Sequence, residues 1–236
     1  AVIPGVMKAY LNVNEVISSI MMNYIGMYLV NYSVSLVLFD ALRNQSLPVA
    51  STAVIPKMGF DKIFTGSPAN GGFVIAILFV ILIYIVLNKT SFGYEMKACG
   101  FNKDASKYAG INEKRNIILS MVIAGALAGV GGGLLYLSGS GKFIEVVDVL
   151  PAEGFNGIPV ALLGLSNPIG VLFAGLFIAY LNVGGNAMQQ FGFIPQIVDI
   201  IISCIIYCSA LSLMIKVWLS KRRKTKELGT AKKEGE

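Results

Sequence analysis

The sequence contains no histidine, and its three cysteines show neither zinc-site nor redox spacing. Without histidine, the chain has no imidazole for catalysis, for a proton relay or for a metal site. Cys204 and Cys208 lie inside an apolar run and Cys99 stands apart, so we interpret all three as small buried apolar residues rather than as a disulfide framework. The sequence also offers no nucleophile–base pair and no phosphate-binding loop. We therefore expect neither a catalytic residue nor a metal site.

Charged residues are also scarce. They make up 14% of the 236 residues, whereas soluble domains carry about a quarter. Hydrophobic residues account for 55%, and the mean hydropathy is +0.71. Lysine and arginine gather in two places while long stretches carry no charge, which a bilayer explains and a water-soluble core does not. The composition therefore predicts an integral membrane protein.

Long apolar runs predict where the chain crosses the bilayer. Four of them are long enough, or nearly so, to cross a hydrocarbon core of about 30 Å as helices. The last run ends at Trp218, an interface residue, just before a basic tail. The predicted spans have the approximate bounds 16–39, 72–87, 117–138 and 194–219.

A fifth apolar region, 158–183, contains the sequence Ser-Asn-Pro at 166–168. Proline removes a backbone donor and disfavours helical dihedrals in the residue before it, so this region should form two pieces. The first piece, 158–165, is too short to span the membrane alone. Broken backbone at membrane depth is tolerated only when it is buried in protein or lines a cavity. The region is therefore a candidate for the solute pathway.

The placement of charge predicts the orientation. Loop 88–116 holds six basic and three acidic residues, and the segment 216–236 holds eight and three, whereas 139–157 holds one lysine against three acidic residues. By the positive-inside rule, the first two segments are cytoplasmic and the third is external. A single span at 158–183 would put the basic tail outside. A re-entrant half-helix enters the membrane and returns to the external side, so that the last span then carries the basic tail to the cytoplasm. Two short spans would give the same orientation, and we favour the half-helix.

The predicted fold is an all-α, polytopic transmembrane helical bundle with one broken or re-entrant helix and a helix at the cytoplasmic surface. The membrane domain covers residues 1–215, with residues 1–15 inside and loop 40–71 outside. The remaining segment, 216–236, is a basic cytoplasmic tail. Attraction to anionic headgroups explains this tail better than nucleic-acid binding does.

Small residues mark the third predicted span. Gly125, Gly129 and Gly133 are spaced four residues apart. Because such a face carries no side chains, another helix can approach closely, so we interpret it as a helix-packing surface. A dinucleotide-binding interpretation fails, since the glycines lie inside a span and no strand precedes them.

Loop 89–116 has helical character between Phe92 and Tyr108, with apolar residues among polar ones. The pattern predicts a short helix or a helix pair at the membrane face. Composition alone favours a solvated connector, so both interpretations stay open at this point.

Polar residues in or beside the apolar runs are candidates for the translocation pathway, because they are costly in lipid. Asp199 lies one turn inside Pro195 and is equally explained as an interface anchor. Glu15 is also explained by capping of the first span. Asparagine both donates and accepts, which suits hydroxyl-rich or nucleobase solutes, although hydrogen bonding between helices is its commoner use. The candidates are Asn14, Glu15, Asn23, Asn167, Pro168, Asn186 and Asp199.

Several runs resemble one transporter family. EMKACGFN at 95–102, followed by AGIN at 109–112, resembles the coupling loop of the ABC importer permeases that move branched-chain amino acids, simple sugars and nucleosides. GFNGIPVALLG at 154–164 and NPIG at 167–170 are similar to the family's other marked stretch. VNEVI at 13–17 resembles the nucleoside and simple-sugar branch in particular. The matches keep their order over about residues 10–215, which makes them specific together.

The resemblance implies a permease subunit that translocates a small polar solute, a nucleoside or a simple sugar, across a bacterial inner membrane. It implies as partners a second permease, ABC ATPase subunits that bind ATP and magnesium, and an extracellular binding lipoprotein, with no cofactor in this chain. Small residues of the loop would let an ATPase groove dock closely, and Glu95 would pair with a basic residue there. The implied coupling residues are Glu95, Ala98, Gly100, Asn102, Gly110 and Ile111.

One departure from the family concerns the number of spans. Such permeases typically have eight or more, and this sequence predicts about five with one break, so we expect the family's N-terminal spans to be absent. The alternative function is a secondary transporter or channel without an ATPase. That alternative predicts clustered intramembrane carboxylates, for which only Asp199 and Glu15 are available. Pairing with an identical or a different second permease remains open.

Overall fold

The computed structural model describes residues 1–40, 42–43, 45–57, 70–139, 142–192, 194, 196–208 and 211. Helices dominate, and the strands of the described part are two residues long. The predicted all-α, polytopic membrane bundle is confirmed. The chain divides into two compact units, Ala1–Leu150 and Pro151–Glu236.

The first unit contains the predicted spans that precede the break. Its helices are α1 (Val2–Leu11), α2 (Glu15–Val37), α3 (Gly72–Lys89), α4 (Ser91–Phe101), α5 (Lys103–Tyr108) and α6 (Glu113–Leu137). Strands β1 (Phe39–Asp40) and β2 (Gln45–Ser46) form an antiparallel hairpin, and a short 3-10 helix covers Ser51–Ala53.

Three helices of this unit, α2, α3 and α6, are long and apolar enough to cross a membrane. The helix α3 is apolar on every side and buries none of its residues against the rest of the chain. A helix that is hydrophobic all round needs a lipid or protein environment on all sides. The arrangement is therefore that of a membrane-embedded helix with most of its surface available to lipid or to another subunit.

Contacts at the helix ends give the direction of each span. The Lys8 ammonium lies 2.6 Å from the Glu15 carboxylate at the start of α2. The Lys114 ammonium, at the start of α6, lies 4.7 Å from the centre of the Tyr10 ring. Loop 88–116 lies at this same end, which we call the basic end. The helices α2 and α6 therefore begin together at the basic end.

The opposite end of the unit is held by hydrogen bonds to backbone carbonyls. Ser46 of the hairpin donates its N–H to the Ile144 carbonyl over 2.8 Å. The Asn70 amide, just before α3, donates to the Ser138 carbonyl, just after α6, over 2.6 Å. The helix α3 therefore runs back from this end to the basic end, which is the alternation that the charge pattern predicts.

The short helix α1 packs along the first half of α6. A Cβ on Gly5 would lie 3.4 Å from the Ile118 Cα, and Gly125 lies directly against Ala1. The sequence predicts residues 1–15 on the inner side and predicts no helix there. The structure differs because the small residues Gly5 and Gly125 let two backbones approach, and this contact becomes visible only once α6 is formed.

The second unit contains α7 (Ala152–Leu163), α8 (Pro168–Met188), a short 3-10 helix (Gln189–Phe191) and α9, whose described part is Gln196–Cys208. Of these, α8 is long and apolar enough to cross a membrane. The predicted span 194–219 is described only as far as α9 and position 211, and the predicted tail 216–236 lies outside the described residues.

The chain reverses direction between α7 and α8, where the sequence predicts a break. Leu165 and Ser166 both adopt φ of 54°, a left-handed conformation that cannot continue a helix. A Cβ on Gly164 would lie 2.6 Å from the Val171 Cα, so the turn needs glycine there. The reversal brings α7 and α8 side by side as a helical hairpin.

The helix α7 is only 12 residues long, or about 18 Å at 1.5 Å per residue. This length is well short of a hydrocarbon core of about 30 Å. Its bounds differ from those of the predicted first piece, 158–165, because it begins six residues earlier, but like that piece it is too short to span alone.

All three cysteines are free. The expected burial is confirmed for Cys99 and is wrong for Cys204 and Cys208, whose side chains are exposed in this chain.

Candidate functional site

Loop 88–116 folds into a helix pair at the basic end. Thr90 alone separates α3 from α4, and its hydroxyl caps α4 by accepting the Gly93 N–H over 3.2 Å. The Asn102 side chain caps α5 in the same way, accepting the Ala105 N–H over 3.1 Å. Of the two predictions for this loop, the helix pair is the one the structure has.

The two helices enclose an open groove of about 620 Å³. Its lining includes the small side chains of Ala98 and Ala105. It also includes Tyr94 and Phe101, which are 72% and 91% exposed. Exposed aromatic side chains of this kind are enriched in surfaces that receive a protein partner.

A buried polar cluster joins the groove to the spanning helix α6. The Asn116 amide donates to the Glu95 carboxylate over 3.1 Å and contacts the Cys99 sulfur at 3.9 Å. The Cys99 thiol lies 3.4 Å from the Ser106 hydroxyl on α5. Asn116 is 2% exposed and Ser106 is 3% exposed. Residues from α4, α5 and α6 therefore meet in one hydrogen-bonded cluster.

Two glycines on α4 have different surroundings. A Cβ on Gly93 would lie 2.6 Å from the Leu87 Cα and closer still to the Val86 carbonyl, so the turn between α3 and α4 requires glycine. A Cβ on Gly100 would meet nothing within 4 Å. After α5, Gly110 adopts φ of +77°, which lets the Ile111 N–H reach the Ser106 carbonyl over 3.0 Å.

The residues predicted to form the coupling site divide into two sets. Four of them line the groove, and Gly100 and Gly110 lie outside it. Asn102 also caps α5, and Glu95 is half-buried beside Asn116. Their role in coupling stays a prediction. The four that line the groove are Glu95, Ala98, Asn102 and Ile111.

The predicted pathway residues of the first unit lie at and beyond the start of α2. Asn14 caps that helix by accepting the Val16 N–H over 2.9 Å. Glu15 is paired with Lys8, so the cap that sequence analysis offered as an explanation for Glu15 is supplied by Asn14. Asn23 is exposed on the surface of α2. Their pathway role stays a prediction.

In the second unit, the structure brings two predicted pathway residues together. Asn186 on α8 and Asp199 on α9 line a cleft of about 70 Å³ with Asn182. The two helices meet closely because Gly185 lies against Val198, whose Cβ would be 2.9 Å from a Cβ on the glycine. This contact fixes the spacing of the polar side chains around the cleft.

Asn167 and Pro168, the other two predicted pathway residues, start α8. The Asn167 side chain caps the helix by accepting the Ile169 N–H over 3.1 Å, and Pro168 occupies the first turn. Both residues are therefore explained locally by the turn, and their contact with a solute stays a prediction.

The three glycines predicted for helix packing also differ in their surroundings. Gly125 is in contact with Ala1, whereas positions for a Cβ on Gly129 and Gly133 are open. No group of three or more histidine, cysteine or acidic side chains that could hold a metal lies within the described residues.

Comparison with known proteins identifies the family. A family described as branched-chain amino acid transport system, permease component, matches residues 1–210. The chain belongs to this permease family. The match covers both units and includes the helix pair of the basic end.

Individual relatives refine this assignment. The permease is 38% identical to the nucleoside ABC transporter permease protein NupB of Lactococcus lactis, over 99% of this chain and 65% of the relative. It is 36% identical to the guanosine ABC transporter permease protein NupP of Bacillus subtilis, over 94% of this chain and 64% of the relative. It is 30% identical to the glucose ABC transporter permease protein TsgB13 of Haloferax volcanii, over 86% of this chain and 55% of the relative. No solved structure gives a significant match.

The permease therefore spans about two thirds of the length of the nucleoside relatives that it matches. It is a multi-pass membrane protein, with four described helices long and apolar enough to cross.

Sequence reasoning missed Asn116, and also the role of Ser106 in the buried cluster. Asn116 lies one turn after Asn112, the residue that caps α6, and looked like part of a polar connector. Its partner Glu95 is 21 residues away. One sequence signal would have pointed to Asn116. Helical periodicity places it on the same face of α6 as apolar residues of the span.

Proposed function

We propose that this permease is the membrane-spanning subunit of an ATP-driven importer for a nucleoside or a simple sugar that an extracellular binding protein delivers. Separate ATPase subunits bind ATP and magnesium and perform the hydrolysis. A second permease, identical or different, completes the pore. The solute class rests on the relatives, since two are named for nucleoside or guanosine transport and one for glucose.

The helix pair α4–α5 carries this proposal. A subunit driven from outside the membrane needs a rigid element that touches both the motor and the spans. The helix α4 follows α3 after a single residue, and four residues separate α5 from α6. Closely packed elements transmit displacement rather than absorb it. A push on the helix pair therefore reaches two spanning helices.

The groove has the chemistry of a docking surface for an ATPase element. The small side chains of Ala98 and Ala105 in its lining admit a close approach, while Tyr94 and Phe101 offer exposed apolar area. Glu95 places a carboxylate inside the groove. An entering element with an apolar face and a basic residue opposite Glu95 would satisfy all of these features.

The orientation follows from charge. The basic end faces the cytoplasm, where the ATPase subunits are, and the hairpin β1–β2 faces outward. The tail 216–236 is cytoplasmic. The helical hairpin α7–α8 enters from the external side, and the length of α7 favours a re-entrant segment over two short spans.

The cleft between α8 and α9 is the part of this chain best suited to contact the solute. Asn186 and Asp199 offer donors and acceptors that match sugar hydroxyls or a nucleobase edge. A cleft of about 70 Å³ is far smaller than the 300 Å³ or more that usually holds a small-molecule ligand. The cleft therefore supplies one wall of the pathway.

The test of the proposal is a bulky substitution in the groove. Ala105 is exposed and lines the groove, so Ala105→Trp fills it without displacing the core of the permease. In the complete transporter, reconstituted in vesicles, this variant should reduce nucleoside uptake by at least about tenfold, the factor that corresponds to 1.4 kcal/mol of lost docking.

Lys107→Trp is the matched control, because Lys107 is exposed on the same helix and does not line the groove. Uptake by this control should stay within about twofold of the unmodified transporter. Equal uptake by the Ala105→Trp variant and the control would refute the assignment of the groove to coupling.

A further inference from the structure

The stability of the fold does not explain why an asparagine stands at position 116. Its side chain is 2% exposed, and its Oδ1 has no hydrogen-bond partner within the described residues. A buried amide with an unpaired oxygen destabilises a protein relative to a well-packed apolar side chain. The reason for an amide here must therefore lie in what its Nδ2 group does.

That group donates to the Glu95 carboxylate over 3.1 Å. A hydrogen bond to an ionised acceptor is shorter and stronger than one between neutral groups. The bond therefore fixes the orientation of a side chain that lines the groove. It also crosses from α4 to the first turn of the spanning helix α6.

The rest of the cluster holds Asn116 in place. Its Nδ2 also contacts the Cys99 sulfur at 3.9 Å, and Cys99 is linked to the Ser106 hydroxyl, which donates to the Lys103 carbonyl over 2.7 Å. The cluster is buried and joins α4 and α5 to α6. A displacement of the helix pair therefore acts on α6 at Asn116.

We propose that Asn116 is a positioning residue for coupling, which acts through Glu95 by holding its carboxylate in the groove and by tying the groove to α6. This inference rests on the proposed function, because the groove is taken as the ATPase docking surface. It assigns to Asn116 a role in transmission, beyond its contribution to packing.

The experiment uses the complete transporter, with its ATPase subunits and binding protein, in lipid vesicles. Two quantities are measured for each variant: nucleoside uptake per ATP hydrolysed, and the amount of ATPase that copurifies with the permease. Asn116→Ala should lower uptake per ATP by about tenfold, the factor for one hydrogen bond to a charged group, while copurification stays above half.

Asn112→Ala is the matched control. Asn112 lies one turn earlier on the same helix end, and it accepts the Arg115 N–H over 3.1 Å without touching Glu95. Its loss weakens α6 locally, so a general weakening of this helix end would lower uptake per ATP equally in both variants. The proposal requires the Asn116→Ala variant to fall well below this control.

A double-substitution cycle separates transmission from packing. In a Glu95→Ala background, Asn116→Ala should cause no further loss of uptake per ATP, because Asn116 acts through Glu95. A further loss of about tenfold in that background would show that Asn116 acts independently and would overturn the proposal.

A size-matched exchange covers the case in which Asn116→Ala does not assemble. Asn116→Asp sets two carboxylates side by side, and combining it with Glu95→Gln restores a hydrogen bond with donor and acceptor exchanged. The pair should assemble but stay uncoupled, because the charge has left the groove. Restored coupling would mean that the bond is only structural.

The outcomes separate this inference from the proposed function. If Ala105→Trp leaves uptake unchanged, the groove is not the docking surface and the proposed function fails. If Ala105→Trp blocks uptake while Asn116→Ala behaves like Asn112→Ala, the docking surface stands and only the positioning role of Asn116 is wrong.

Discussion

The turn between α3 and α4 makes a quantitative prediction about two glycines of the same helix. A Cβ on Gly93 would lie 2.6 Å from the Leu87 Cα and from the Leu87 carbonyl oxygen, and closer to the Val86 carbonyl oxygen. These are backbone atoms, which cannot rotate away as a side chain does. Gly93→Ala must therefore move the start of α4 away from the end of α3.

The cost of forcing an extra carbon into a packed site is typically about 1–3 kcal/mol, and three backbone contacts put Gly93→Ala at the upper limit. Gly100→Ala meets nothing within 4 Å and lies next to the last residue of α4, where helix propensity counts little, so it should leave the free energy of unfolding nearly unchanged. The two variants should differ by about 3 kcal/mol in the free energy of unfolding.

For a chain of this size, about 3 kcal/mol corresponds to a difference of about 6–12 °C in Tm. Cys99 reports on the region directly, because it lies on α4 and is buried. A thiol-reactive dye that labels Cys99 during heating, in a background with Cys204→Ser and Cys208→Ser, measures when this helix opens. Equal midpoints for the two variants would show that the turn is looser than the structure requires.

Two further predictions concern the ends of the spans and the cleft. Cysteines introduced at Leu42, which is 97% exposed in the hairpin turn, and at Tyr108, which is 94% exposed at the end of α5, should react with an impermeant reagent from opposite sides of the membrane. Labelling of both from one side would contradict the alternation of α2, α3 and α6. Gly185→Val should reduce uptake by at least about tenfold, because the glycine touches Val198. Gly184→Val is the control, since a Cβ there meets nothing within 4 Å, and its uptake should stay within about twofold. Equal uptake by the two variants would exclude the cleft from the pathway.

The spans are predictable from sequence because lipid imposes one requirement on the backbone. Every N–H and C=O in the hydrocarbon core must be paired within the chain, so a long apolar run has to be a helix. The run 72–87 accordingly corresponds to α3, Gly72–Lys89. The break is predictable for a similar local reason, since Pro168 disfavours helical dihedrals in the residue before it, and α7 accordingly ends at Leu163.

Contacts between distant residues are not predictable in this way. Gly93 and Gly100 are both glycines in one helix, yet one is required by a backbone contact and the other faces open space. The pair Asn116 and Glu95 is separated by 21 residues and becomes visible only when α4 folds back onto α6. The small helix α1 was missed because its apolar residues gain their packing partner from α6.

The open glycines bear on how the permease is completed. Gly129 and Gly133 have no atom within 4 Å of a Cβ position among the described residues, while Gly125 on the same helix is in contact with α1. A glycine stripe stabilises a membrane protein only when another backbone reaches it. If these glycines pack as the sequence predicts, the partner has to be supplied from outside the described part of this chain. The start of α6 therefore packs within this chain, through α1 and Asn116, and the packing of the face that carries Gly129 and Gly133 depends on what assembles with it.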